Sequence, residues 1–336
     1  MKAFKEKNKY PPESAGGKMI ANVPFTLLEE TVLDVKKRLF EKAKEFETLN
    51  YIYVVNKDRR LLGVFSFREI FQAPEETKIK NLMIKKEVIK VYPYTDQEKV
   101  AILALKHNLK AIPVVDKESR FLGVVPSNKI LGILYSEHME DIFRYAGIYD
   151  GDFLPSKMIR APAGTLAKVR LPWLILGLFG GILAAKITDL FEAPLKSHFI
   201  LAAFIPVIVY MADAVGTQTE ALVIRGLAID SKLAIKNYLF QEIKVGFLIA
   251  LSLGALLTLI SSLWLGLLHI GFILGISIFL TIISAILIAL FIPLVLNKLK
   301  KDPALGSGPF ATIVTDLCSL IIYFSVSTFL LKVFGI

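Results

Sequence analysis

Two hydrophobic rhythms divide the chain. Up to about residue 160, short apolar runs alternate with charged ones. After Arg170 the apolar positions become nearly continuous and form five segments. Each is long enough to cross a bilayer, for which about 20 residues suffice. The first starts at "RLPWLILGLFGGILAAKI", the second is "HFILAAFIPVIVYMADAVGTQTEALVI", and the third is "VGFLIALSLGALLTLISSLWLGLL". The fourth is "IGFILGISIFLTIISAILIALFIPLVL", and the fifth runs from about Pro309 to Leu331. Segments three and four carry no charge, so they read as lipid-facing or purely structural.

Segments two and five break that uniformity. Segment five carries Thr312, Asp316, Ser319, Tyr323 and Ser327 at spacings of four, three, four and four. At 3.6 residues per turn these share one stripe, with Asp316 expected near mid-depth. Segment two carries Asp213, Thr217 and Glu220, with Gly216 and Ala221 allowing close helix packing. Intramembrane carboxylates are expensive and mark ion pathways, so two stripes on two helices suggest a hydrated path between them. Glu220 and Arg225 are expected to pair with each other. His198 and His269, at the opposite interface, read as solvated.

In the first half, "YIYVVNKDRRLLGVF" from Tyr51 aligns without a gap with "AIPVVDKESRFLGVV" from Ala111, at an offset of 60. Each reads as strand, charged turn and strand. A helical pattern precedes both, "EETVLDVKKRLFEKAKEF" and "TDQEKVAILALKHN". An internal repeat of this length organises the whole half. Between the halves, "NKILGILYSEHMEDIFRYAGIYDGDF" is helical and acidic at Glu137, Glu140 and Asp141. Clustered carboxylates repel unless neutralised, so this face can sense a divalent cation.

Composition agrees with this division. The 336 residues are 54% hydrophobic with a mean hydropathy of +0.56, which fits a soluble part followed by a membrane part. The net charge of +10 is assigned to juxtamembrane lysines facing anionic lipid, not to nucleic acid. Lys157, Arg160, Lys168 and Arg170 precede the first segment. Arg225, Lys232, Lys236 and Lys244 surround the second connection, and Lys298, Lys300 and Lys301 lie in the fourth. The first and third connections hold only Lys196. The positive-inside rule then puts the N-terminal domain in the cytoplasm and the C-terminus outside. The single cysteine, Cys318, excludes a disulfide framework, and the four histidines form no zinc motif. "MKAFKEKNKYPPESAGGK" lacks an apolar core, so residues 1–18 read as a flexible tail and not as a signal peptide. These features suggest a prokaryotic inner membrane.

The repeat over Met19 to Ile133 resembles a tandem CBS pair, the cystathionine-β-synthase type of regulatory module. An adenine nucleotide often sits between such repeats, held by a Ser or Thr followed three residues later by Asp. Here Ser66 and Glu69 occupy those places in the first repeat, and Pro126 and Lys129 in the second. The order of CBS pair, linking helix and five spans is similar to the MgtE family of magnesium channels and transporters. The stretches that carry the likeness are "EDIFRYAGI", "RLPWLILGLFGGILAA", "GTQTEALVIRGLA", "EIKVG" and, most specifically, "DPALGSGPFATIVTD".

The resemblance implies an α+β cytoplasmic CBS pair (19–133), a plug-like linking helix (134–165) and an all-α membrane domain of five helices (166–336). It implies a homodimer with its pore on the two-fold axis. Asp316 would hold hydrated Mg2+ there. The polar stripes themselves add Asp213 as a second metal candidate, with Thr312, Ser319, Thr217, Gly216 and Ala214 as the residues expected to line the path. Glu137, Glu140 and Asp141 would bind regulatory intracellular Mg2+ and close the gate. Two departures stand out. The family usually has a helical domain before the CBS pair. "MADAVGTQ" replaces Met-Gly-Gly-Asn-Ala-Gly-Thr-Gln, so that Asp213 stands for a glycine and Ala214 for the asparagine. Asp213 therefore leaves an ion-coupled carrier or exporter of magnesium or another divalent metal open beside the channel. A membrane sensor without transport is a further alternative, which the polar stripes oppose. An enzyme has no nucleophile or metal-ligand constellation to support it.

Overall fold

The structure, a computed structural model, describes residues 10–83, 88–148, 160–191, 198–229, 235–306 and 308–335. It divides into two compact units, Met1–His138 and Met139–Ile336.

The first unit is built twice from one plan. Strands β1 (Phe25–Leu27), β2 (Tyr51–Val55) and β3 (Leu61–Ser66) form a sheet in which β1 is parallel and β3 antiparallel to β2. Strands β4 (Ala111–Val115) and β5 (Phe121–Pro126) repeat the hairpin, and Val91 bridges Val114 in the place of β1. Tyr51 faces Ser66 and Ala111 faces Pro126, and both hairpins carry a register shift at the Val-Val pair. The turns match as well. Asn56 Oδ1 accepts the Arg60 amide, and Asp116 Oδ1 accepts that of Arg120. Arg59 and Ser119 adopt φ of 62° and 63°.

Helices α1 (Ala15–Lys18), α2 (Val32–Lys42), α3 (Phe67–Gln72), α4 (Ile79–Leu82), α5 (Gln97–Lys106) and α6 (Ser127–Tyr145) complete the unit, α6 running past its boundary. Helix α2 starts at Thr31, whose hydroxyl accepts the Asp34 amide while the Asp34 carboxylate accepts the Thr31 amide. Its buried Val32, Val35 and Leu39 cover Ile52, Val54, Phe65 and Ile70. Each such side chain, fully enclosed, contributes about 1.5–3 kcal/mol. Tyr53 stacks on Phe121 at 4.8 Å and joins the two repeats.

Residues 10–18 are not the flexible tail expected of them. Ser14 caps α1, Ala15 is fully buried among Val100, Ile112 and Val125 of the second repeat, and Ile20 pairs with Val124. The chain start therefore fills the core of the later repeat. Gly123 records this approach, since a Cβ there would lie 2.3 Å from the Ile20 carbonyl oxygen. Residues 1–9 lie outside the described residues.

The second unit holds five helices long and apolar enough to cross a membrane among the described residues. They are α7 (Ala163–Leu190), α8 (Phe199–Ile229), α9 (Ile235–Leu265), α10 (Leu268–Lys298) and α11 (Pro309–Phe334), with a 3-10 turn at Pro303–Gly306. Helix α10 is central and packs on α8, α9 and α11, while α7 packs mainly on α11. Segment four is therefore structural, the most enclosed of the five, while Phe272, Leu287 and Phe291 on its other face stay exposed. Its small residues let α9 approach: Gly254 faces the Gly275 carbonyl, and a Cβ on Gly271 would strike Ser262.

The linking helix, expected over 134–165, instead spans Ser127–Tyr145. Gly147 ends it at φ +72°, with the Gly147 amide on the Arg144 carbonyl and the Ile148 amide on that of Phe143. Residues 149–159, including Lys157, lie outside the described residues, as do Lys196 and Lys232.

Candidate cation path

Helices α8 and α11 present the carboxylates. Asp316 sits seven residues into α11, about 10 Å along its axis. That is nearer the N-terminal mouth of this 26-residue helix than the mid-depth expected. Asp316 and Asp213 are each half-buried and lie within electrostatic range of one another across the two helices. Neither forms an ion pair among the described residues.

The stripe on α11 divides in two. Thr312 and Asp316 stay partly open, whereas Ser319, Tyr323 and Ser327 are buried inside the chain. Tyr323 donates its hydroxyl proton to the Leu201 carbonyl at 2.7 Å and so ties α11 to α8. On α8, Ala214 is half-buried and Thr217 exposed. Gly216 is buried with Ala285 of α10 about 3.5 Å from where its Cβ would lie, which makes it a packing position.

Glu220 departs from its expected role. It is buried at 3% exposure and makes no ion pair with Arg225. One carboxylate oxygen, Oε2, accepts the Gly308 amide at 3.3 Å, while Oε1 has no partner. Gly308, at φ +72°, is the residue before α11, and a Cβ on it would meet the Tyr145 carbonyl oxygen. Tyr145 donates its hydroxyl proton to the Thr217 carbonyl at 3.2 Å. Burial, then the nearby Glu220 carboxylate, raises the Tyr145 hydroxyl above its ordinary pKa, so it stays a donor. The end of α6 is thus seated on the first turn of α11 and on α8.

The acidic residues of α6 are already engaged. Gln97 donates to Glu137. Arg144 pairs with Glu140 one turn back and with Asp302, whose other oxygen caps the 3-10 turn at Ala304. Asp141 is half-buried on the same helix. No three acidic, cysteine or histidine side chains among the described residues converge closely enough to ligate a bare ion. A hydrated ion, bound through its own waters, needs no such convergence. In the first unit, Glu69 accepts the Ser66 amide at the start of α3, and the Ser66 hydroxyl has no partner. The pair stands at the start of α3, with the Glu69 carboxylate occupied as a helix cap.

The signals missed by sequence reasoning are the enclosure of Glu220 and the grip of Arg144 and Tyr145. Only the string "EDIFRY", with Glu140 and Arg144 four apart, announced one of them.

A repeated α+β module followed, among the described residues, by five helices apolar enough to cross a membrane defines a multi-pass membrane protein, with the neighbouring carboxylates of α8 and α11 as its candidate cation path. Comparison with known proteins agrees. A profile described as divalent cation transporter, MgtE, matches residues 205–326, and the CBS domain profile matches 17–76 and 79–136. Magnesium transporter MgtE of Bacillus subtilis strain 168 is 36% identical over 95% of this chain and 70% of its own length. Magnesium transporter MgtE of Enterococcus faecalis strain V583 is 31% identical over 98% of this chain and 72% of its own. A crystal structure of the cytosolic domain of the Mg2+ channel MgtE in complex with ATP shares 35% identity over 38% of this chain and 52% of that one, at a TM-score of 0.37. The chain belongs to the MgtE family, whose members are transporters and not enzymes.

Proposed function

We propose that this chain carries magnesium across the cell membrane through a path on the two-fold axis of a homodimer. Asp316 is the principal ion site, Asp213 its neighbour, and Thr312, Ser319, Thr217, Gly216 and Ala214 the wall. The observation that carries the reading is Asp316, a half-buried carboxylate inside a membrane helix with no counter-charge among the described residues. Two copies would surround one ion with two carboxylates, and a resident cation offsets their repulsion. Gly216 and Ser319 are enclosed within the single chain, so their part is to shape the wall from behind. The N-terminal unit is read as cytoplasmic, the C-terminus as outside, and anionic lipid as the partner of the flanking lysines.

Gating follows the same chemistry. Intracellular Mg2+ at Glu137, Glu140 and Asp141 would hold α6 in a closed arrangement, and its loss would release it. Protease protection of residues 128–165 tests this: protection that rises with millimolar magnesium supports the gate, and protection indifferent to magnesium refutes it. Adenine nucleotide at Ser66 and Glu69 would require Glu69 to leave the Ser66 amide; nucleotide binding unchanged in Glu69→Ala removes that reading.

The direct test of transport is magnesium flux into liposomes by wild type, Asp316→Ala and Asp213→Ala, with and without a sodium or proton gradient. Gradient-independent flux lost in Asp316→Ala supports the channel. Flux that needs the gradient and fails in Asp213→Ala favours the coupled carrier, the reading that this second carboxylate supports. Wild type without magnesium flux overturns both.

A further inference from the structure

We propose that Arg144 is a built-in cation that fastens the end of α6 to the lead-in of α11, and that divalent ions compete with it there for Glu140 and Asp302. This rests on the gating reading above and deepens it: part of the closed arrangement is held by the chain's own charge, without a metal.

One guanidinium spans two carboxylates. Arg144 Nη2 pairs with Glu140 Oε1 one turn back on α6, and Nη1 pairs with Asp302 Oδ2, 158 residues further along the chain. The other Asp302 oxygen accepts the Ala304 amide at 2.8 Å and so fixes the 3-10 turn before α11. The side chains of Arg144, Glu140 and Asp302 are 28%, 21% and 25% exposed, withdrawn from water without being sealed from it. In such a place a planar fork matched to carboxylate oxygens holds better than on an open surface. Two carboxylates drawn to one point repel unless a cation lies between them, and Arg144 is that cation.

The contacts around it make the pair a fastening for the whole helix end. The Tyr145 hydroxyl donates to the Thr217 carbonyl of α8. A Cβ on Gly308 would strike the Tyr145 carbonyl oxygen, and one on Gly147 would strike the ring of Pro309, the first residue of α11. Among these contacts only the one at Arg144 joins full charges, so only it can be exchanged for a metal ion. A divalent ion that drew Glu140 and Asp302 together would have to take the oxygens that Arg144 holds. A tethered competitor acts at an effective concentration on the order of millimolar, which sets the level the free ion must reach. Asp302 lies in the turn that opens the helix carrying Asp316, so the fastening acts on the ion path from its end.

The test is amide hydrogen exchange over residues 139–148 of the detergent-purified full chain, read by mass spectrometry, in chelator and across millimolar magnesium. In chelator, Arg144→Gln and Asp302→Asn should each exchange at least about tenfold faster than wild type. The double variant should exchange no faster than either, because all three break one contact. Arg144→Lys, which keeps the charge and loses the fork, should fall between. Magnesium should restore protection to Arg144→Gln, whose two carboxylates can share a hydrated ion, more fully than to Asp302→Asn. A merely structural contact would show no such rescue. Exchange like wild type in Arg144→Gln overturns the proposal, and so does loosening that magnesium leaves unrepaired or repairs equally in both variants. If Arg144→Gln does not fold, Asp302→Asn decides: faster exchange in chelator supports the fastening, and exchange like wild type overturns it. Liposome flux run beside it separates the two readings. Arg144→Gln should pass more magnesium than wild type at low internal magnesium and converge with it as magnesium is raised. Wild type that passes no magnesium sinks the transport reading and leaves the fastening to stand or fall on exchange alone.

Discussion

In the N-terminal unit, Glu30 is clasped by both guanidinium nitrogens of Arg38, at 2.9 and 2.6 Å. Asp34 and Asp96 cap helices, and Asp116 holds its turn. In the membrane unit, Asp213, Glu220 and Asp316 meet no cation among the described residues. Carboxylates of the first kind lower the energy of the fold. Those of the second kind raise it unless a proton or a cation neutralises them. The difference teaches that a charge's role is read from its partners and not from its burial.

The sharpest way to break this comparison is to exchange the consequences of mutation. Asp316→Ala should lose flux by at least about tenfold, equivalent to about 1.4 kcal/mol, while the thermal melt stays in place or rises. A melt that falls by several degrees would make Asp316 a structural residue. Phe65→Ala should do the opposite. Phe65 is fully buried against Ile52, Val54 and Ile70, and its loss should cost about 3–5 kcal/mol of stability in the first unit. Denaturant unfolding followed by circular dichroism reads it. Flux per folded chain is expected to be retained.

A smaller effect tests the satisfied carboxylates themselves. Burial alone would raise the Glu30 carboxyl, but hydrogen bonds from Arg38, Thr26 and Leu27 outweigh it, so the net pKa lies below 4.5. A group lowered in the folded state adds stability above its unfolded value and loses it as pH falls through the folded one. Glu30→Gln should therefore weaken the fold by up to about 1 kcal/mol at neutral pH, given partial solvent screening. The deficit should shrink as the pH is brought below 4.5. A deficit that stays constant from pH 7 to pH 3 would show that the ion pair contributes nothing.

How much of this was legible in the sequence depends on range. The repeat was, because Tyr51 and Ala111 start copies whose strand pairs, bulges and turn residues all recur at one offset. The five spans were, because length and apolarity alone define them. The contribution of Ala15 to the second repeat was not, since that contact joins residues far apart in sequence and leaves no local pattern. Nor was the central place of α10: a helix apolar on every side shows no preferred face, so lipid and protein neighbours look alike. At Glu220 the nearest opposite charge along the chain, Arg225, was the wrong partner. The right one is the amide of Gly308, which only the seating of α11 brings near.

The smallest expected effect bears on the stripe of α11, where the comparison is most easily blurred. Spacing alone put Asp316 and Tyr323 on one face, yet Asp316 is half-open and Tyr323 is enclosed and bonded to the Leu201 carbonyl. Hydrogen bonds between membrane helices average about 0.6 kcal/mol, because the loosened helices find other partners. Phenylalanine keeps the ring and its contact with Phe324, so Tyr323→Phe should cost little more than that. Its magnesium flux should equal wild type. Equal flux with a slightly lower melt would assign the buried half of the stripe to packing and leave the open half to the ion. A strong loss of flux with an unchanged melt would return Tyr323 to the path, and the division between structural and ion-facing polar groups would have to be drawn further along α11.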